Sequence, residues 1–195
     1  MFRITLLVCT ALLRLNAASP EVTVIIQKSE VFSPQAWQAM EAESHRIVNK
    51  TGIRMQFLEH ALAAGKEFND LVIIRIRGNC AMDAFPSVTG DRGPFASAAV
   101  DGNNVLPFAE VRCDRIRESL RTAMGGDDFA RANQLLGRAL GRVVAHELYH
   151  ILANTRGHGK TGVARDALSM RNLLAEDLNL ADHDCAVVAA RRNFR

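Results

Sequence analysis

The chain has 195 residues, of which 48% are hydrophobic and 23% charged, and its formal net charge is +3. That is apolar material for one compact core and gives no sign of a second. The near-balance of charge excludes the basic footprint that follows a phosphate backbone, so no nucleic-acid partner is expected.

Met1-Phe2-Arg3, the apolar run 4–13 and the small-residue stretch Asn16-Ala17-Ala18-Ser19 read as a signal peptide over residues 1–18. Residues 19–195 then form a single domain that is secreted or periplasmic. The apolar run is too short to span a bilayer, so no stable membrane anchor is expected. Losing Arg3 and Arg14 takes the charge from 24 − 21 = +3 to 22 − 21 = +1. The basic end Arg191-Arg192-Asn193-Phe194-Arg195 is a short solvated tail. Nothing in the pattern speaks to oligomeric state.

The elements alternate. Residues 21–27 (EVTVIIQ) are β-branched and short, as a strand is. Ser33-Pro34 offers an N-cap followed by proline at the first helical position, and Trp37, Met40 and Ile47 recur at helical spacing up to about Asn49. Thr51-Gly52 stops that helix. Residues 53–58 alternate as a strand, and 71–76 (LVIIRI) do so more strongly. From Gly78 to Gly102 the chain is rich in Gly, Pro, Asp and Ser, with a weak strand at 95–100 whose small residues and leading Pro94 suit a sheet edge. Residues 104–111 (NVLPFAEV) form the next strand, 114–124 a short helix, and a long helix starts at Asp127 or Asp128. Its apolar stripe is Phe129, Ala132, Leu136, Leu140 and Val143.

That stripe leads into His146-Glu147-Leu148-Tyr149-His150. Residues four apart on a helix sit one turn above each other, so both imidazoles leave the same face and can grip one metal ion. Neutral imidazoles suit zinc, and a carboxylate beside the first of them can take a proton from a water at the metal. Tyr149, the one tyrosine, points to another helix face and reads as core or as support for the ligands.

Two histidines leave tetrahedral zinc short of one protein ligand. His158 is the leading candidate. Were the helix to run on, His158 would lie about 12 Å up the axis from His150 at ~1.5 Å per residue, against a Zn–N bond of ~2 Å. The chain must therefore turn back, and Asn154-Thr155-Arg156-Gly157 is chemically able to do so. Glu176 is the rival third ligand, with Asp166 and His183 behind it. His45 and His60 have no partner at ligand spacing and read as surface or cap residues.

His146, Glu147 and His150 resemble the motif of the zincin-type zinc metallopeptidases, and the element order over residues 21–158 is similar to that of the metzincin half of that group. The resemblance implies an α+β fold: a zincin-like mixed sheet of about five strands, a backing helix and a long active-site helix. It also implies one Zn2+ per chain on His146, His150 and His158, Glu147 as the general base, and a peptide or protein substrate paired along the edge strand. Metzincins carry Gly three residues after the second His and a third His six after it; Ala153 and Arg156 stand there in this chain, so His158 serves through a turn two residues longer. Glu176 matches instead the position type from which gluzincins draw their third ligand. Met170 resembles a methionine turn beneath the metal, or packs in the core.

On that reading zinc polarises the scissile carbonyl and acidifies a water, whose proton Glu147 takes and delivers to the leaving amine. Arg156 or the edge-strand backbone would steady the developing oxyanion, and residues 90–102 would rim the cleft. In such a sheet the strands ending at Ile76 and Val111 are parallel neighbours, so Cys80 and Cys113 come within disulfide range and Cys185 stays free. Two other classes stay open. One is a non-catalytic secreted zinc-binding or interaction module, which a fourth protein ligand would favour. The other is a metal-dependent endoribonuclease, against which the near-neutral mature charge argues.

Overall fold

The computed structural model describes residues 21–28, 31–83 and 93–191. The signal peptide read over residues 1–18 lies outside the described residues, as do part of the 90–102 rim and the last four residues of the basic tail.

Five strands form one mixed sheet in the order β2-β1-β3-β5-β4. The strand β1 (Glu21–Lys28) lies between β2 (Arg54–Glu59) and β3 (Leu71–Arg77), parallel to both. Its run from Val22 to Ile26 is buried on both faces, as expected of an interior parallel strand with a near-continuous apolar run. β3 is parallel to β5 (Asn104–Arg112), with Ile76 opposite Val111. β4 (Ala96–Asp101) closes the sheet as an antiparallel edge. The β4–β5 hairpin turns on Gly102 at φ 57°, a left-handed conformation that costs glycine nothing. Its register shifts between Ala98 and Val100, opposite the stretch of β5 that holds Pro107, which has no N–H to give the ladder.

Two helices pack on each other against this sheet. α1 (Pro34–Val48) starts as read, with Ser33 Oγ accepting from the N–H of Ala36 and Pro34 in the first turn. α4 (Ala132–Ala153) is the long motif helix, buried over most of its length. They approach closely because Gly137 and Gly141 face α1: a Cβ on Gly141 would sit 2.7 Å from the Met40 carbonyl oxygen, and one on Gly137 would collide with that of Ala36. Ser44 Oγ seals the crossing by donating to the Gly141 carbonyl at 3.1 Å.

The start of the long helix differs from the sequence reading. Residues Gly126–Arg131 form a separate 3-10 segment, and α4 begins at Ala132 after Arg131 leaves the helical path at φ −118°, ψ 20°. Phe129 is consequently out of phase with the stripe and 61% exposed, although Leu136, Leu140 and Val143 are buried as expected. The structure adds three short helices: α2 (His60–Ala63), α5 (Met170–Leu174) and α6 (Asp182–Ala190). The helix read at 114–124 is α3 (Cys113–Ala123). Cys80, past the end of β3, is joined to Cys113 at the start of α3 by a disulfide, and Cys185 is free, as the parallel pairing of β3 and β5 implied. No helix among the described residues is long and apolar enough to cross a membrane.

Candidate metal centre

His146 and His150 leave α4 one turn apart, and their Nε2 atoms face each other at 3.1 Å. After Ala153 the chain reverses. Asn154 adopts the left-handed conformation at φ 44°, and the N–H of Thr155 donates to the His150 carbonyl at 3.0 Å. Asn154 also ties the reversal to the sheet: its Oδ1 accepts from the N–H of Val105 on β5 and its Nδ2 donates to Asn104 Oδ1. The reversal returns His158 to the other two, with ring centroids 5.4 Å from His146 and 4.8 Å from His150. One ligand nitrogen from each of the three lies within 4.8 Å of those of the others.

The second nitrogen of each ring is already committed. His146 Nδ1 lies 2.8 Å from the Val163 carbonyl oxygen, His150 Nδ1 2.8 Å from that of Thr155, and His158 Nδ1 3.2 Å from Asp166 Oδ1. A carbonyl oxygen only accepts, so Nδ1 of His146 and of His150 carries the proton and Nε2 presents a lone pair. Two lone pairs facing at 3.1 Å repel unless a cation lies between them. Protonation is disfavoured: burial, joined by the like charges of His150 and His158, takes the His146 ring down to about 4. Burial also lowers His150, against the raising effect of the Thr155 carbonyl. The donor set therefore fits a metal that takes three neutral nitrogens, each oriented by an acceptor behind it.

Those acceptors are fixed in their turn. The Gly159 N–H donates to the Ala164 carbonyl at 2.7 Å and the Val163 N–H to the Asn179 carbonyl at 2.8 Å, with Val163 and Ala164 fully buried. The loop that supplies His146 with its carbonyl is thus pinned at both sides.

Glu147 is 4% exposed. Burial pushes its carboxyl up to about 7, against the lowering effect of a hydrogen bond from the Ala98 backbone N–H on the edge strand. Two cavities meet at His146 and Glu147. One, of ≈410 Å³, runs along β4 past Ala98 and Val100 and is closed by His150, Arg156 and His158. The other, of ≈310 Å³, extends from Ala96 toward Arg115 on α3. A larger space of ≈930 Å³ lies around Gln35, Met82 and Phe129 and includes none of the histidines.

The remaining candidates separate. Glu176 is exposed, is not among the clustered ligands, and offers its backbone carbonyl to Arg138 and Arg142. Asp166 stands behind His158. His183 is exposed on α6, His60 is exposed at the start of α2, and His45 packs its ring on Phe57 at 5.1 Å. Tyr149 is buried in the core beside His150. Met170 opens α5 and packs against the core. Residues that a sequence motif does not reveal are the carbonyls of Val163 and Thr155, which any residue type carries, and the N–H of Ala98, which any residue but proline carries. Arg142, one turn before His146, could have been suspected from a charge on a helix face that is otherwise apolar. It is fully buried, donates to Glu43 at 2.6 Å and reaches the carbonyls of Asn172, Leu173 and Ala175. It thus satisfies the last carbonyls of α5 and joins three helices behind the centre.

No protein-family model matches the sequence, and no curated protein matches it. Among solved structures, the chain is similar to archaemetzincin from Methanopyrus kandleri at a TM-score of 0.55 and 12% sequence identity, over 91% of this chain and 98% of that one. At that identity what is shared is the fold, a five-stranded mixed sheet with its helices, over nearly the full length of both chains.

Proposed function

We propose that the protein is a secreted zinc-dependent peptidase, with zinc held by His146, His150 and His158 and with Glu147 as the general base. The observation that carries this reading is the pair of facing Nε2 lone pairs at 3.1 Å, each locked in place by a carbonyl behind its ring. When bound, zinc supplies a Lewis acid that polarises a carbonyl and acidifies a water. The likeness of fold to archaemetzincin is in keeping with the assignment.

The chain's own residues do the rest. His146, His150 and His158 would hold the ion with three protein nitrogens and leave one position open, as in catalytic rather than structural sites. The Glu147 carboxylate, buried and steadied by the Ala98 N–H, takes a proton beside that position and returns it to the leaving amine. A carboxyl pushed up to about 7 suits both transfers, because it neither holds nor releases the proton too firmly. The edge strand β4 faces the cavity with its small residues Ala96, Ser97 and Ala98, so an extended peptide can lie along it. The disulfide between Cys80 and Cys113 is in keeping with export to an oxidising compartment.

The test pairs metal content with turnover. Purified protein should hold about one zinc per chain and cleave members of an unstructured peptide library, with loss on chelation and recovery on adding zinc. Bound zinc without any cleavage, together with a fourth protein ligand in the open position, would favour the reading as a zinc-binding module instead.

A further inference from the structure

The ≈310 Å³ cavity on the far side of Glu147 holds one feature that hydrolysis itself does not use. Arg115 and Ser119, four residues apart on α3, line it opposite Val143 and Glu147, four apart on α4. The Nη1 of Arg115 is buried and has no hydrogen-bond partner. The two fully buried arginines are treated differently. Arg142 is met by Glu43 and a set of carbonyls, and Arg117 by Glu118 and the Asn79 carbonyl. Neither acid that lines the cavity is committed to Arg115: Asp166 is bonded to His158 and Glu147 to the Ala98 N–H. Arg115 thus lines the cavity with no carboxylate set against its positive charge, and an anion entering the cavity supplies one. The volume, about ten waters at ~30 Å³ each, suits one side chain or chain end.

We propose that this cavity receives a carboxylate from the substrate residue next to the scissile bond, with Arg115 as its counter-ion. The location rests on the peptidase reading above; the chemistry rests on the unpartnered guanidinium. The carboxylate comes from an Asp or Glu side chain or from the free end of the chain.

Four matched peptides separate these sources: Asp or Asn at the tested position, each as a C-terminal acid and as an amide. Binding is read by fluorescence anisotropy on zinc-loaded Glu147→Gln, and turnover on the wild type. A charge-assisted contact favours the anionic member by roughly 10- to 100-fold. An Asp-over-Asn ratio of that size assigns a side chain, and an acid-over-amide ratio assigns the chain end. In either case Arg115→Gln should bring the ratio near one, Arg115→Glu should invert it toward cationic residues, and Arg115→Lys should keep part of it. Thermal unfolding of the three variants confirms that they are folded. A wild-type protein with neither ratio, or a ratio that survives in Arg115→Gln, overturns the proposal. The two readings fail separately: a ratio in binding without turnover leaves the pocket and removes the peptidase, while turnover without a ratio does the reverse.

Discussion

His146 Nε2 lies 3.1 Å from His150 Nε2, and neither has a proton to give the other, because both rings donate from Nδ1 to backbone carbonyls. A cation held between the two rings would turn that repulsion into ligation. His146→Ala, His150→Ala and His158→Ala should each lose the metal, whereas Glu176→Ala should keep it, since the Glu176 side chain is exposed and apart from the cluster. Metal content by mass spectrometry decides this. Retention of zinc by His158→Ala with loss in Glu176→Ala would transfer the third ligand to Glu176.

Glu147→Gln should keep zinc and fold while cutting peptide hydrolysis by about 10² to 10⁴-fold, because the amide has the carboxylate's shape but takes up no proton. Steady-state kinetics on any peptide the wild type cleaves, beside a metal assay, gives the comparison. Equal rates in the two proteins would remove Glu147 from the chemistry.

Asp166 is 88% exposed, yet it is the group behind His158. An exposed pair contributes little to folding, but a carboxylate behind a ligand histidine sets its tautomer and basicity. Asp166→Asn should therefore leave the melting temperature of the metal-free protein within a degree or so and weaken zinc binding by about 10- to 100-fold. Competition against a chromogenic chelator measures it; unchanged affinity would reduce the pair to a surface contact.

The Glu43–Arg142 pair predicts a pH signature. Burial alone would raise Glu43, but the hydrogen bonds from Arg46 and Arg142 outweigh it and hold the carboxyl below its usual range. A lowered folded-state value means that the stabilisation is present above the unfolded value, about 4.3, and is lost as pH falls through the folded one. Glu43→Gln should cost about 3 to 5 kcal/mol at pH 7, since it leaves Arg142 buried without its counter-charge. Between pH 5 and 3 it should then lose less further stability than the wild type. Urea unfolding at the three pH values tests both halves, and parallel curves would exclude the pair as the acid-sensitive element.

At the α1–α4 crossing, Gly141→Ala should cost about 1 to 3 kcal/mol, although alanine is the better helix former. Its Cβ meets the backbone oxygen of Met40, which cannot move without shifting α1. A gain in thermal stability would show that the helices can part freely.

Much of this fold could be read in the sequence, for identifiable reasons. Residues 21–27 declare a strand by their β-branched run, Ser33-Pro34 fixes the start of α1, and His146 and His150 carry their geometry in their spacing. Asn154 and His158 were legible together, because two histidines on a helix leave a third to be found and only a reversal delivers it. What stayed hidden depends on backbone atoms and tertiary phase. The carbonyls of Val163 and Thr155 belong to no motif, the bend at Arg131 that frees Phe129 follows no local rule, and α6 has no capping side chain to announce it.

Asn154 joins three parts of the molecule that would otherwise be spaced only by packing. Its backbone makes the left-handed turn that returns His158, and its side chain bonds Val105 and Asn104 beside the turn of the β4–β5 hairpin. Glycine would suit the turn better, but it has no side chain to reach the hairpin. The residue thus works as a ruler: the same few atoms set how far the edge strand stands from the helix and where the third imidazole arrives. The gauge of the groove and the placement of the three histidines are for this reason not independently adjustable at that position.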